Sequence, residues 1–170
     1  MSQNPSTAAW LHNMLPKPYL ALVAEDSEAD EILIHHVMSL VHSVKLVGFV
    51  RDGVEVLSYL RGTERFGDRK KFPWPDLLFL DYQMPRLDGM EVLAALQSEG
   101  IRLPIIFWST SVGFVDQELA KDLGATLVCQ KPMSRLELLA VINQLDRTTP
   151  AAIQRPVPFP YAVHPFLRAC

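Results

Sequence analysis

Short apolar runs alternate with amphipathic stretches along most of the chain, and this rhythm predicts five strands, each followed by a helix. Leu20 to Ala24 (LALVA) is a continuous apolar run that stops at Glu25-Asp26, which reads as a buried strand. Ser27 is placed to cap the next helix with Asp30 as a capping-box partner, and Ile32, Leu33, His36, Val37 and Leu40 recur at helical spacing. The cycle repeats with strand Lys45 to Val50 and helix Asp52 to Leu60, then strand Leu77 to Leu80 and helix Gly89 to Gln97. Strand Pro104 to Trp108, helix Val115 to Leu123, strand Leu127 to Cys129 and helix Ser134 to Leu145 complete it. Gly100 and Gly124 fall just past helices, and Ser134 with Glu137 forms a capping box. Strict alternation with strands apolar on both sides predicts an α/β fold, a doubly wound parallel sheet with helices on both faces.

Two segments break the rhythm. Residues 61 to 75 (RGTERFGDRKKFPWP) form a charged loop with Gly, Pro and aromatics, longer than the usual helix-to-strand connection. After Leu145 five prolines forbid continuous helix, while Val157, Phe159, Tyr161, Val163, Phe166 and Leu167 stay apolar, so an extended tail in need of a surface is expected. The expected division is an N-terminal extension at 1–18, one domain at 19–146 and a Pro- and aromatic-rich tail at 147–170.

Composition narrows the class. Hydrophobic residues at 49% and charged residues at 21% suit a globular chain able to fold without disulfides or a structural metal. The formal charge of −3 without a long basic run argues against a nucleic-acid partner. Cys129 and Cys170 form no zinc-ligand cluster, no window is apolar enough to span a membrane, and Met1 to Pro18 lacks the pattern of a secretion signal. A cytoplasmic protein is expected.

In an open α/β sheet, ligands bind beyond the carboxyl ends of the strands, so the residues that end each apolar run are informative. Glu25 and Asp26 end the first strand, Asp81 the third, Ser109 and Thr110 the fourth, and Lys131 follows the fifth; the second offers nothing comparable. Several carboxylates at one rim repel unless a cation or proton neutralises them. Mg²⁺ fits, with Asp26 and Asp81 as ligands, Glu25 acting through water and the backbone carbonyl of Gln83 added from the loop. A carboxylate such as Asp81 can attack phosphorus, given positive charge to stabilise the phosphoryl oxygens, and Lys131 supplies it. Ser109 can donate to a phosphoryl oxygen and draw its loop inward, which makes it a candidate switch.

Each residue also has a plainer reading. An isolated Asp81 would be a solvated strand-end acid, Glu25-Asp26 would favour a helix N-terminus, Ser109 could cap a helix and Lys131-Pro132 would be a surface turn. Their convergence on one rim favours the chemical reading. For His35 and His36, helical spacing puts one near the core face and the other toward solvent, and a structural role is expected; Trp74 and Trp108 read as packing residues.

From Tyr19 to Leu145 the sequence resembles the receiver domains of bacterial two-component response regulators, through the ED pair, LDYQMPRLDG, PIIFWST and the Lys131-Pro132 step. The resemblance implies a flavodoxin-like (CheY-like) (βα)5 sheet of strand order 2-1-3-4-5. It further implies Asp81 as acceptor of a phosphoryl group from a sensor histidine kinase, Glu25 and Asp26 as the acidic metal pair, Ser109 as switch hydroxyl and Lys131 as phosphate contact. The long loop before Leu77 is similar to that of the single-domain regulators that partner bacterial phytochromes. Val128 departs from the pattern, standing where many receivers carry Tyr or Phe.

A signalling module rather than an enzyme is expected, acting through protein binding in trans, since about 25 residues after Leu145 are too few for a further domain. A homodimer is expected, through the tail or the face of the fourth and fifth helices. Two alternatives are a phosphate-independent module of receiver shape, favoured by Val128, and an aspartate-nucleophile phosphatase. Gln83 stands where such phosphatases carry a second Asp.

Overall fold

The computed structural model describes residues 17–110 and 115–148, so the candidate N-terminal extension and C-terminal tail lie outside the described residues, apart from their innermost few positions. Strands β1 (Tyr19–Ala24), β2 (Val44–Val50), β3 (Leu77–Asp81), β4 (Ile105–Ser109) and β5 (Leu127–Gln130) form one sheet in the order β2-β1-β3-β4-β5. Every pairing is parallel. Helices α1 (Glu28–Ser39), α2 (Gly53–Arg61), α3 (Gly89–Ser98), α4 (Gln117–Asp122) and α5 (Arg135–Thr148) alternate with the strands.

Because successive strand residues face opposite sides, each apolar run feeds two cores. Ala21, Val23, Leu77, Phe79, Ile106 and Trp108 pack with Ile34, Val37 and Met38 of α1 and Leu138, Ile142 and Leu145 of α5. Leu22, Ala24, Leu78, Leu80, Ile105 and Phe107 pack with Val56, Leu57 and Leu60 of α2, Val92, Leu93 and Leu96 of α3, and Ala120 of α4. Each fully buried Leu or Phe contributes about 2 kcal/mol, so this two-sided burial is what fixes the sheet and its register.

The helix starts are capped as their sequences specify. Ser27, Asp52, Asp88 and Asp116 each accept a hydrogen bond from a main-chain N–H of the first turn that follows, and Asp88 with Glu91 completes a reciprocal capping box. The cap at Asp116 starts α4 at Gln117, two residues later than the apolar pattern predicts, leaving Val115 buried ahead of the helix.

In α1 the buried stripe is Ile34, Val37 and Met38, followed by Val41, while Ile32 is 72% exposed, Leu40 is exposed, and both His35 and His36 face solvent. Residues 32 and 34 lie about 200° apart around a helix, so both cannot face the sheet. The expected stripe through Ile32 and His36 was therefore out of phase, and neither histidine lies near the core.

The 61–75 loop is packed rather than open. Its short 3-10 turn, Glu64–Phe66, buries Phe66, whose ring meets Tyr59 at 5.0 Å and Phe72 at 5.1 Å. Arg69 lies over the Trp74 ring and donates to the Leu60 carbonyl at 2.8 Å, while the Tyr59 hydroxyl donates to the Pro73 carbonyl at 3.0 Å. These bonds close the loop over the end of α2.

Candidate phosphoacceptor and metal site

Since all five strands run parallel, their carboxyl ends share one edge of the sheet, and the residues singled out by the sequence meet there. Glu25 and Asp26 leave β1, Asp81 is the last residue of β3, Ser109 the last of β4, and Lys131 follows β5. The main-chain N–H of Lys131 donates to the Ser109 carbonyl at 3.1 Å, which ties the lysine to the end of β4.

Ligand oxygens of Glu25, Asp26 and Asp81 all lie within 4.8 Å of one another. Glu25 and Asp81 are buried, whereas Asp26 is exposed at the mouth of the cluster. Lys131 is buried among them: its Nζ donates to Asp81 Oδ2 at 3.2 Å and to Asp30 Oδ2 at 3.0 Å, and lies 2.7 Å from Glu25 Oε2 in ionic contact. Burial holds the carboxyls of Glu25 and Asp81 above the usual carboxylate range, only partly opposed by Lys131. Burial alone would lower the lysine, but Glu25, Asp81 and Asp30 together keep its ammonium firmly protonated, above the ordinary value.

One ammonium does not balance three rim carboxylates. Glu25 Oε2 is buried, with the Lys131 ammonium 2.7 Å away as its charged neighbour, and that ammonium is shared with Asp81 and Asp30. A hard divalent cation answers that excess of negative charge, and the all-oxygen donor set fits Mg²⁺. Gln83, two residues past Asp81, is exposed in a loop closed by bonds from Tyr82 N to the Trp108 carbonyl and from Gly89 N to the Tyr82 carbonyl. The same loop carries Arg86 at a φ of 66°, ion-paired to the Asp52 carboxylate that caps α2. Ser109 is buried, and Val128 sits half-buried against the core under α3 and α4.

Asp30 was missed as a site residue. Its main-chain N–H does bond the Ser27 hydroxyl, but its carboxylate turns to Lys131, and it is Glu25 that accepts from Ser27 N. The available signal was position: Asp30 is an acid on the first turn of α1, directly after the strand end that carries Glu25 and Asp26.

The family model for the response regulator receiver domain matches residues 21–143, and the chain belongs to that family of signalling modules. It is 33% identical over 133 residues to the response regulator MprA of Mycobacterium sp. (strain KMS), covering 78% of this chain and 52% of MprA. The chain thus spans about half the length of that relative. Among solved structures, the response regulator RPA3017 in red light signalling of R. palustris aligns with a TM-score of 0.67 at 31% identity, covering 82% of this chain and 99% of that one. The phosphorylated cyanobacterial phytochrome response regulator RcpA aligns with a TM-score of 0.64 at 27% identity, with the same coverage. The flavodoxin-like fold and strand order implied by the resemblance are those observed. No helix among the described residues is long and apolar enough to cross a membrane.

Proposed function

We propose that the domain at 19–146 accepts a phosphoryl group on Asp81 from a sensor histidine kinase and signals through protein binding rather than catalytic turnover. The observation that carries this reading is the buried Asp81 carboxylate, 3.2 Å from the Lys131 ammonium and grouped with the oxygens of Glu25 and Asp26. In the transfer, an Asp81 oxygen attacks phosphorus, the O–P bond forms as the P–N bond of a phosphohistidine breaks, and the imidazole leaves with a proton from solvent. Lys131 then donates to a phosphoryl oxygen. Asp26, Asp81 and the Gln83 carbonyl would hold Mg²⁺, with Glu25 acting through water. When bound, that ion neutralises charge on the phosphoryl oxygens. Ser109 would follow the phosphoryl group, and its main-chain link to Lys131 couples the two responses.

A phytochrome-type kinase is the proposed partner, supported by the phytochrome and red-light signalling context of RcpA and RPA3017. We also propose a cytoplasmic homodimer, using the tail at 147–170 or the face of α4 and α5, where Leu119 is 47% exposed; truncation after Arg147 with light scattering tests the tail's part.

Incubation with acetyl phosphate and Mg²⁺ followed by intact mass analysis tests the central step. The wild type is expected to gain one phosphoryl group and Asp81→Asn none. No gain, where a control receiver is labelled, would favour a phosphate-independent binding module, the reading to which Val128 lends weight.

A further inference from the structure

Lys131 is held from two sides. Asp81 and Glu25 belong to the acidic rim, but its third partner, Asp30, sits on the first turn of α1, 101 residues away in sequence. The Asp30 side chain is 27% exposed, against 7% for Asp81 and 0% for Glu25. We propose that Asp30 is a positioning residue for phosphoryl transfer, sharing the Lys131 ammonium with Asp81 and holding it on the α1 side until a phosphoryl group claims it. The inference rests on Asp81 being the phosphoacceptor.

Of the three carboxylates, Asp30 is the one that can release the lysine into water without being stranded. A buried carboxylate that loses its partner keeps the full desolvation penalty, whereas a partly exposed one regains solvent. Asp30 therefore competes with an incoming phosphoryl group for one ammonium, and its charge also opposes an approaching phosphate dianion. Its negative charge beside the lysine also offsets part of the positive charge that Lys131 presents to Asp81, which leaves that carboxylate better able to bind a cation. The two effects have opposite signs: Asp30 favours the metal and restrains the transfer.

Asp30→Asn keeps the main-chain N–H that bonds Ser27 and is nearly isosteric, so the start of α1 survives it. In the 170-residue chain, calorimetric titration with Mg²⁺ alone is expected to give about threefold or more weaker binding for this variant. At saturating Mg²⁺, phosphoryl uptake from acetyl phosphate, in which the anhydride P–O bond breaks and acetate leaves, is expected to be about threefold or more faster. Asp30→Glu, which keeps the charge, is expected to move both values back toward wild type. A merely structural residue would lower metal affinity and transfer together, so a joint fall, or two unchanged values, overturns the inference. A wild-type chain that takes up no phosphoryl group overturns the phosphoacceptor reading and this inference together; a labelled wild type matched by Asp30→Asn overturns the inference alone.

Discussion

Gly89 starts α3 pressed against the main chain of Asp81: a β-carbon there would collide with the Asp81 carbonyl oxygen and lie 2.5 Å from a Phe107 ring carbon. Glycine is required by this close approach rather than by its backbone angles. Gly89→Ala must displace the end of the strand that carries the candidate phosphoacceptor. It is expected to lower stability by about 2 kcal/mol in urea unfolding and to weaken Mg²⁺ binding in the same protein. Unchanged stability would mean that the loop yields easily.

The buried rim makes opposite predictions for its two signs of charge. Removing the ammonium with Lys131→Met strands Glu25 and Asp81, and a loss of about 3 kcal/mol is expected in metal-free urea unfolding.

Removing a carboxylate charge should act the other way. The Asp81 carboxyl is held above its ordinary value by burial, so the native state binds its proton more tightly than the unfolded chain does. Ionisation therefore subtracts stability as pH rises from the ordinary carboxylate value through the raised one, and the deficit is complete above it. Asp81→Asn is expected to gain about 1 kcal/mol at neutral pH without metal, and to flatten the pH dependence of stability in that acidic window. Added Mg²⁺ should stabilise the wild type more than the variant.

Cys129 is half-buried at the end of β5, and burial pushes its thiol up to about 11. The thiolate is the reactive form, so in a Cys170→Ser background alkylation by iodoacetamide at mildly alkaline pH is expected to be slow in the native protein and fast in denaturant. Equal rates would contradict the burial.

Arg86 adopts a backbone conformation that side chains rarely take, and its ion pair with Asp52 opposes that penalty. Arg86→Gly relieves the backbone and loses an exposed pair, so the two effects offset and the urea midpoint is expected to move little. Asp52→Ala loses the pair and the α2 cap together and should cost about 1–2 kcal/mol by urea unfolding.

The sheet was legible in the sequence because its central strands β1, β3 and β4 are buried on both sides, so runs such as Leu77 to Leu80 are uninterrupted. Asp81, Lys131 and the Glu25-Asp26 pair were legible because each ends such a run, where chain direction alone places it on the rim. Phase was less legible. Ile32 and Ile34 are equally apolar, and only the direction from which α1 meets the sheet buries the second. Asp30 was obscured for a related reason: its spacing from Ser27 satisfies a capping pattern, and the partner that takes its carboxylate lies 101 residues away. Likewise, Asp52 reads as a cap alone until folding brings Arg86 beside it.

The most direct measurement locates the phosphoryl group. Protein labelled with acetyl phosphate and Mg²⁺ is reduced with borohydride, which converts an aspartyl phosphate to homoserine, and its peptides are then mapped by mass spectrometry. Conversion at position 81 is expected, with Asp26 and Glu25 unchanged. Conversion at another acidic residue, or a phosphoryl group retained on Ser109 or a histidine, would contradict Asp81 as the phosphoacceptor.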